Sequence, residues 1–375
     1  MSMRRNTREL VDAIAGGRMS RRDVNRALGA VGLAAVTLPI RGRKAAAQAS
    51  NLTILEWGGY EDPAFHQPYL EKYGASPSFS LFGEEEEALQ KLRGGFTCDI
   101  SHPCTGSTRR WKDAGQLVPI DPARIEGWSD IFPEFMTIKG VYVDDVPYMM
   151  PFDWGNSSIL YRTDMVDIEE EAWAILLDDR YKGRMAMSDS VDSMFSVSAL
   201  IAGIADPFNL TDEQIETCRK IMVRIQDNLR FYWTDVTTFE QALAAGEIVA
   251  AYSWNESILK LQEQGIPVKY MNPKEGILTW VCGLVRIASG SAPEVEVYDY
   301  FNALNAPETG KYLTEAWGYG HANTKSLDLV SPERLGALGI KDARTLLSQG
   351  VFYDEIPPDI REKMIAVFDE VKAGT

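Results

Sequence analysis

Aromatic residues recur where short strand-like runs of this 375-residue chain end in turns, and a cluster of such rings would bind a small cation. The residues concerned are Trp57, Tyr60, Trp154, Trp254, Trp280 and Tyr319. Ligands of open α/β sheets bind at the carboxyl ends of strands, whereas a core aromatic more naturally lies mid-strand or on the apolar side of a helix. We therefore expect these residues to line a ligand site, with packing between two lobes as the alternative for any single ring.

Groups suited to covalent or metal chemistry are sparse by comparison. The three histidines, His66, His102 and His321, have no partner at metal-ligand spacing, and no Gly-rich phosphate loop or Gly-x-Ser-x-Gly elbow occurs. His102-Pro103-Cys104 places a possible base near a thiol, but such a pair on an extended strand is more often incidental. We expect a binding protein without a cofactor. The alternatives are an enzyme or a metal-binding protein that shares the fold of such a binding protein, or a chemoreceptor-coupled or structural protein.

The four cysteines, Cys98, Cys104, Cys218 and Cys282, are too few for a disulfide-built scaffold. Their spacings match no zinc signature. Cys218 lies on the apolar side of a predicted helix, so we expect it in the core.

Charge is distributed unevenly along the chain. Residues 1–49 contain ten Lys/Arg and three Asp/Glu, which leaves 28 basic and 51 acidic residues, a net charge near −23, for the remainder. A surface that acidic repels phosphate backbones, so we expect no nucleic-acid partner. The same acidity would attract cationic ligands, although it is also a common route to solubility.

The basic N-terminal region has the layout of an export signal. Ser20-Arg21-Arg22-Asp23-Val24-Asn25-Arg26 resembles a twin-arginine motif, and the uncharged run Ala27–Ile40 follows it. That run of 14 residues is shorter than the roughly 20 that cross a bilayer, and Ala45-Ala46-Ala47-Gln48-Ala49 offers cleavage sites. Residues 1–49 are therefore predicted to be a cleaved signal that delivers the protein to the periplasm. A membrane anchor or a short buried helix is the alternative.

Along the chain that carries the candidate residues, strand-like runs alternate with helical ones. The patterns predict strands over 52–57, 96–101 and 247–254, and helices over 84–92, 238–245 and 359–372, with a capping box at Thr211–Gln214 opening a further helix. Such alternation indicates α/β layers with mostly parallel strands. The length favours two lobes, and without a low-complexity linker these lobes are expected to be interleaved.

Seven short motifs occur in the order and spacing of a known family. They are Glu56-Trp57-Gly58-Gly59-Tyr60, Cys98-Asp99-Ile100, the run 146–155, the run 181–189, Ala250-Ala251-Tyr252-Ser253-Trp254-Asn255, the run 273–280, and Gly318-Tyr319-Gly320-His321-Ala322-Asn323. From Leu52 onward the chain therefore resembles the spermidine/putrescine-binding branch of the bacterial periplasmic solute-binding proteins of ABC transporters.

This resemblance implies an α/β, two-lobed periplasmic binding protein fold of type II-like topology, with a hinge and an interlobe ligand cleft. It places crossovers near Trp154 and Trp280, lobe 1 at 51–154 plus 281–325, and lobe 2 at 155–280 plus 326–375. It also implies a monomer that captures a small molecule and passes it to ABC permease subunits in the inner membrane.

The resemblance breaks at the acidic positions of the expected ligand site. Aromatics match at Trp57, Tyr60, Trp254, Trp280 and Tyr319. The positions expected to carry acids or other polar groups instead hold Ser190, Ser193, Cys282, Cys104, Gly106 and Tyr353, although Asp189 or Asp192 could still reach the cleft.

This departure bears on the ligand. A buried ammonium without a carboxylate partner loses several kcal/mol on desolvation, whereas an aromatic cage suits a quaternary onium group, each ring contributing about 0.5–2 kcal/mol. We therefore expect a zwitterion such as a betaine or dimethylsulfoniopropionate, or γ-aminobutyrate, with a polyamine as the alternative.

By the same resemblance Cys104 and Cys282 lie on the same lobe, both beside the cleft. Three states are open to them: two free buried thiols, a disulfide, or a soft-metal site with His102. We favour free thiols, because small, weakly polar side chains suit an apolar cage. The full set of expected ligand-binding residues is Trp57, Tyr60, Cys104, Trp154, Ser190, Ser193, Trp254, Trp280, Cys282, Tyr319 and Tyr353.

Overall fold

The computed structural model describes residues 50–374, apart from 339, 341–342, 345–346 and 348–349. The predicted export signal, residues 1–49, lies outside the described residues. Within the described part of the chain, no helix has the length and apolar character needed to cross a membrane.

Short strands and helices alternate along the chain, as the sequence patterns predict. The strands are β1 (Thr53–Trp57), β2 (Ser78–Phe82), β3 (Ile100–Ser101), β4 (Leu117–Val118), β5 (Tyr142–Val143), β6 (Val146–Pro147), β7 (Met149–Arg162), β8 (Met185–Ser188), β9 (Leu229–Trp233), β10 (Ala250–Trp254), β11 (Val268–Tyr270), β12 (Leu278–Ile287), β13 (Gly320–His321) and β14 (Val351–Phe352). The α-helices are α1 (Gln67–Tyr73), α2 (Glu85–Arg93), α3 (Thr108–Asp113), α4 (Val191–Ile201), α5 (Asp212–Asn228), α6 (Val236–Ala244), α7 (Glu256–Glu263), α8 (Glu294–Asn305), α9 (Pro307–Tyr312), α10 (Pro332–Ala337) and α11 (Pro358–Ala373).

Local sequence signals explain where several of these elements begin. Thr211 and Gln214 form the predicted capping box of α5, each side chain bonding the other residue's backbone N–H. Helix α2 begins with three glutamates and ends with Lys91 and Arg93, which complements its dipole. The strand predicted over 96–101 shrinks to the two residues of β3.

Besides a two-stranded sheet of β5 and β6, a twelve-stranded mixed sheet organises the described residues. Its order is β2-β1-β3-β12-β7-β10-β8-β9, with β4 and β14 also paired to β12, and β11 and β13 to β7. Pairing is parallel within β2-β1-β3 and within β10-β8-β9. The two long central strands, β7 and β12, are antiparallel to each other and to those neighbours. The prediction of a mostly parallel sheet is therefore wrong at the centre.

Strands β7 and β12 connect the two halves of this sheet. β7 pairs with β13 at Asp153 and Trp154 and with β10 and β11 further along, and β12 pairs with β14 at its start and with β3 and β4 at its end. All fourteen residues of β7 are buried. Of the candidate residues, Trp154 lies on β7, and Trp280 and Cys282 lie on β12.

Candidate ligand-binding site

The rings of Trp280 and Tyr319 pack together and form the aromatic cluster of the candidate site. Trp280 is the cross-strand partner of Gly155, and its ring lies so close to that glycine that a Cβ there would overlap it. The ring of Tyr319 meets Trp280 edge-on, with centroids 4.8 Å apart and planes at 88°. The indole N–H of Trp280 is buried and has no hydrogen-bond partner among the described residues.

A carboxylate outside the predicted ligand set contacts Tyr319. Glu256, the first residue of α7, hydrogen-bonds the Tyr319 hydroxyl, and burial raises the pKa of Glu256 to about 7. Its Oε2 atom is buried and has no partner within the described chain. The sequence carries a signal for this acid, because Glu256 follows Trp254 by two residues, but the family resemblance points to other positions.

Trp254 and Trp57 are partly exposed rings, and each packs against another aromatic residue. Trp254 is 36% exposed and rests edge-on against Trp233, with centroids 5.4 Å apart. Trp57 packs against Phe82 at 4.5 Å, and its indole N–H donates to the His102 carbonyl at 2.7 Å. Both rings therefore keep one face for a ligand or solvent while neighbours fix their orientation.

Tyr60 is held by a buried chain of charged groups. Its hydroxyl donates to Asp153, which also accepts from His102 Nε2 at 3.0 Å, and His102 Nδ1 bonds Glu56 at 2.8 Å. Burial lowers the pKa of His102, but the carboxylates of Glu56 and Asp153 outweigh that effect and raise the pKa to about 10. Burial in turn raises the pKa of Glu56. None of these three residues was in the predicted ligand set.

The predicted serines form hydroxyl contacts rather than replacing acids. Ser193 donates to the Tyr252 hydroxyl at 3.1 Å, and Tyr252 bonds the hydroxyl of Tyr353 at 2.9 Å. Ser190 caps α4 by accepting the Ser193 N–H. The structure thus brings Ser193 and Tyr353 together through Tyr252, while Ser190 has a helix-capping role.

The two nearby aspartates of this region are engaged in ion pairs with the final helix. Asp189 pairs with Lys372 at 2.5 Å and Asp192 pairs with Arg361 at 2.6 Å. Their carboxylates therefore already have cationic partners from α11. Among the described residues, no Lys or Arg forms an ion pair with Glu256, which is therefore the better candidate for a ligand counter-ion.

Trp154 does not join the aromatic cluster, which corrects its assignment as a ligand residue. Its ring is fully buried, packs edge-on against Phe132 and Phe135, and donates its N–H to the His321 carbonyl at 3.1 Å. Neighbouring residues of β7 point to opposite faces of the sheet. Gly155 lies beneath Trp280, so Trp154 points to the other face.

Cys104 and Cys282 form a disulfide, with Cα atoms 3.7 Å apart, so the preference for free thiols is wrong. Both residues meet because the segment after β3 lies against β12, where Gly283 N–H bonds the Pro103 carbonyl at 3.0 Å. His102 is bonded to two carboxylates rather than to sulfur. Among the described residues, no group of three His, Cys, Asp or Glu side chains is arranged to hold a metal ion.

Comparison with known proteins assigns the family. The sequence profile of bacterial extracellular solute-binding proteins matches residues 85–338. This chain belongs to that family. It is 25% identical over 308 residues to the spermidine/putrescine-binding periplasmic protein of Escherichia coli strain K12, covering 80% of this chain and 86% of the relative.

Two further relatives extend the comparison. The gamma-aminobutyric acid-binding protein of Pseudomonas aeruginosa is 22% identical over 298 residues, covering 76% of this chain and 81% of the relative. The fold matches a spermidine/putrescine ABC transporter substrate-binding protein of Streptococcus pneumoniae with a TM-score of 0.73, at 22% identity, over 86% of this chain and 98% of that one. The predicted two-lobed α/β periplasmic binding protein fold is confirmed, in a family of transport proteins rather than enzymes.

Proposed function

We propose that this extracellular solute-binding protein is the substrate-binding component of an ABC importer for a linear aliphatic amine of the putrescine–spermidine class. The observation that carries the proposal is Glu256, whose carboxylate bonds Tyr319 and has one buried oxygen without a partner in the described chain. An ammonium group bound against Trp280 and Tyr319 would pair with that oxygen. Charge-assisted hydrogen bonds of this kind are about twice as strong as neutral ones.

The ligand expected from sequence rested on the loss of acidic partners, and Glu256 removes that premise. A quaternary onium group has no N–H to give to a buried carboxylate oxygen, whereas a primary ammonium has three. The named ligands of the Escherichia coli and Streptococcus pneumoniae relatives point the same way. The polyamine alternative therefore replaces the betaine and dimethylsulfoniopropionate hypothesis.

A second candidate is γ-aminobutyrate. Its ammonium would use Glu256, and its carboxylate would accept hydrogen bonds from the hydroxyl chain of Ser193, Tyr252 and Tyr353. The Pseudomonas aeruginosa relative is named for this ligand.

Location, partners and domain division follow as parts of the proposal. The periplasm is the proposed compartment, reached by the predicted twin-arginine signal, and ABC permease subunits are the proposed partners of a monomeric protein. We keep the lobe boundaries at 51–154 plus 281–325 and 155–280 plus 326–375. The antiparallel pairing of Trp280 with Gly155 supports crossovers at that point.

Putrescine affinity should depend on pH in a direction set by Glu256. Its pKa is about 7, so the carboxyl becomes protonated below that value, while a primary ammonium stays charged up to about pH 10. Affinity is therefore expected to fall as pH drops from 8 to 6, by up to about tenfold per pH unit. Calorimetry in buffers of different ionisation enthalpy should show proton release on binding near pH 6.

Glu256→Gln is the control for this pH dependence, because it removes the titrating carboxyl and leaves the neighbouring groups in place. Lys260, Glu240 and Tyr319 influence its titration, and all three are unchanged in Glu256→Gln. Residual binding by that variant should have no pH slope in this range. Wild-type affinity that is constant from pH 6 to 8 would refute pairing of the ligand with Glu256.

A further inference from the structure

Asp153 lies directly opposite the position where the family resemblance leads one to expect an acid. That position is Cys282, and Asp153 is its cross-strand partner in the β7–β12 pair. Side chains of directly opposed residues share one face of a sheet, with Cβ atoms about 4.5–5.5 Å apart. The carboxylate absent at Cys282 is therefore present on the facing strand.

The hydrogen bonds of His102 indicate the charges of the chain Glu56–His102–Asp153 when both acids are ionised. Both ring nitrogens of His102 face carboxylate oxygens, at 2.8 and 3.0 Å, and only an imidazolium donates from both. Two carboxylates and one imidazolium leave a single net negative charge. In the described part of the chain, no Lys or Arg forms an ion pair with Glu56 or Asp153.

This charge is buried yet close to the aromatic cluster. Glu56 and His102 are 0% exposed and Asp153 is 1% exposed. Asp153 bonds the Tyr60 hydroxyl, and its charge also reaches Tyr319, the residue that contacts Glu256. In a low-dielectric interior such a charge acts on a nearby cation far more strongly than it would in water.

We infer that Asp153 is a positioning and specificity-determining residue for the ligand. It fixes the Tyr60 ring through a hydrogen bond, and it supplies the second negative charge that favours a dication from a position behind that ring. The inference rests on the proposed function. Glu256 then pairs with one ammonium directly, while Asp153 acts on the dication through Tyr60 and through its charge. His102 and Glu56 hold Asp153 in place, and Glu56 Oε1 also accepts the backbone N–H of Trp57 at 2.8 Å.

Asp153→Asn tests this inference because it preserves shape and a hydrogen-bonding partner for Tyr60 while removing the charge. Calorimetry with putrescine, which has two ammonium groups, and with n-butylamine, which has one, gives the selectivity for a dication. The variant is expected to lose about tenfold in putrescine affinity and less than about threefold in n-butylamine affinity. Equal losses for both amines, or none, would overturn the inference.

A charge-relocation variant distinguishes this effect from a folding defect. In the Asp153→Asn background, Cys104→Ser with Cys282→Asp returns a carboxylate to the opposite strand, and Cys104→Ser with Cys282→Ser is the matched control. Selectivity for putrescine over n-butylamine should recover in the first and not in the second. Recovery in both, or in neither, contradicts an electrostatic role. A wild-type protein that binds no amine would instead refute the proposed function.

Discussion

Replacing Glu256 by Gln is expected to weaken putrescine binding by about 100-fold. Removing one partner of a buried charge pair costs about 2–5 kcal/mol, and each 1.4 kcal/mol is roughly a factor of ten in affinity. The substitution keeps the size of the side chain and its contact with Tyr319, so the loss reports the charge. Calorimetric titration at pH 8, where Glu256 is ionised, measures it.

The same variant should keep or gain stability, which separates this effect from misfolding. The folded-state pKa of Glu256, about 7, lies above its ordinary value of 4.5. The ionised carboxylate therefore destabilises the fold as pH rises through that interval, and a neutral amide removes the penalty. Glu263→Gln is the matched control, because Glu263 is the exposed last residue of the same helix. Unchanged putrescine affinity in Glu256→Gln would refute the assigned role.

Loss of the Cys104–Cys282 disulfide should lower the free energy of unfolding by about 2–5 kcal/mol. The bridge joins residues 178 positions apart, and closing so long a loop restricts the unfolded chain strongly. Urea unfolding of Cys104→Ser/Cys282→Ser, compared with wild type, gives the difference.

Reductant supplies an internal control for that comparison. It should lower the Tm of the wild type and leave the double variant unaffected, since the remaining cysteines, Cys98 and Cys218, are free and buried. Thiol titration of denatured, unreduced wild type should detect two groups. Four titrating thiols would show that the disulfide is absent.

Helices and strands that are marked by sequence signals a few residues long could be predicted from the sequence. The capping box at Thr211, the glutamate-rich start of α2 and the strand ending at Trp57 all depend on residues a few positions apart. Strand direction has no such signal, because it depends on where a distant segment pairs. The antiparallel course of β7 and β12 therefore did not follow from alternation of strands and helices.

The candidate site could be predicted only in its aromatic part. Rings at strand ends are visible in the sequence, and the structure packs two of them, Trp280 and Tyr319, against each other. Its charges depend on pairings across the fold: Asp153 opposite Cys282, and Glu256 against Tyr319. The family resemblance places acids at fixed sequence positions, whereas Asp153 lies on the facing strand and Glu256 at the start of α7.

Direct titration of the wild-type protein with putrescine, spermidine, γ-aminobutyrate and glycine betaine tests the central claim. The protein should first be unfolded and refolded to remove any co-purified ligand. We predict micromolar or tighter binding of putrescine or spermidine and no heat from glycine betaine. Tight binding of glycine betaine with both polyamines silent would contradict the account, and tightest binding of γ-aminobutyrate would favour the second candidate over the first.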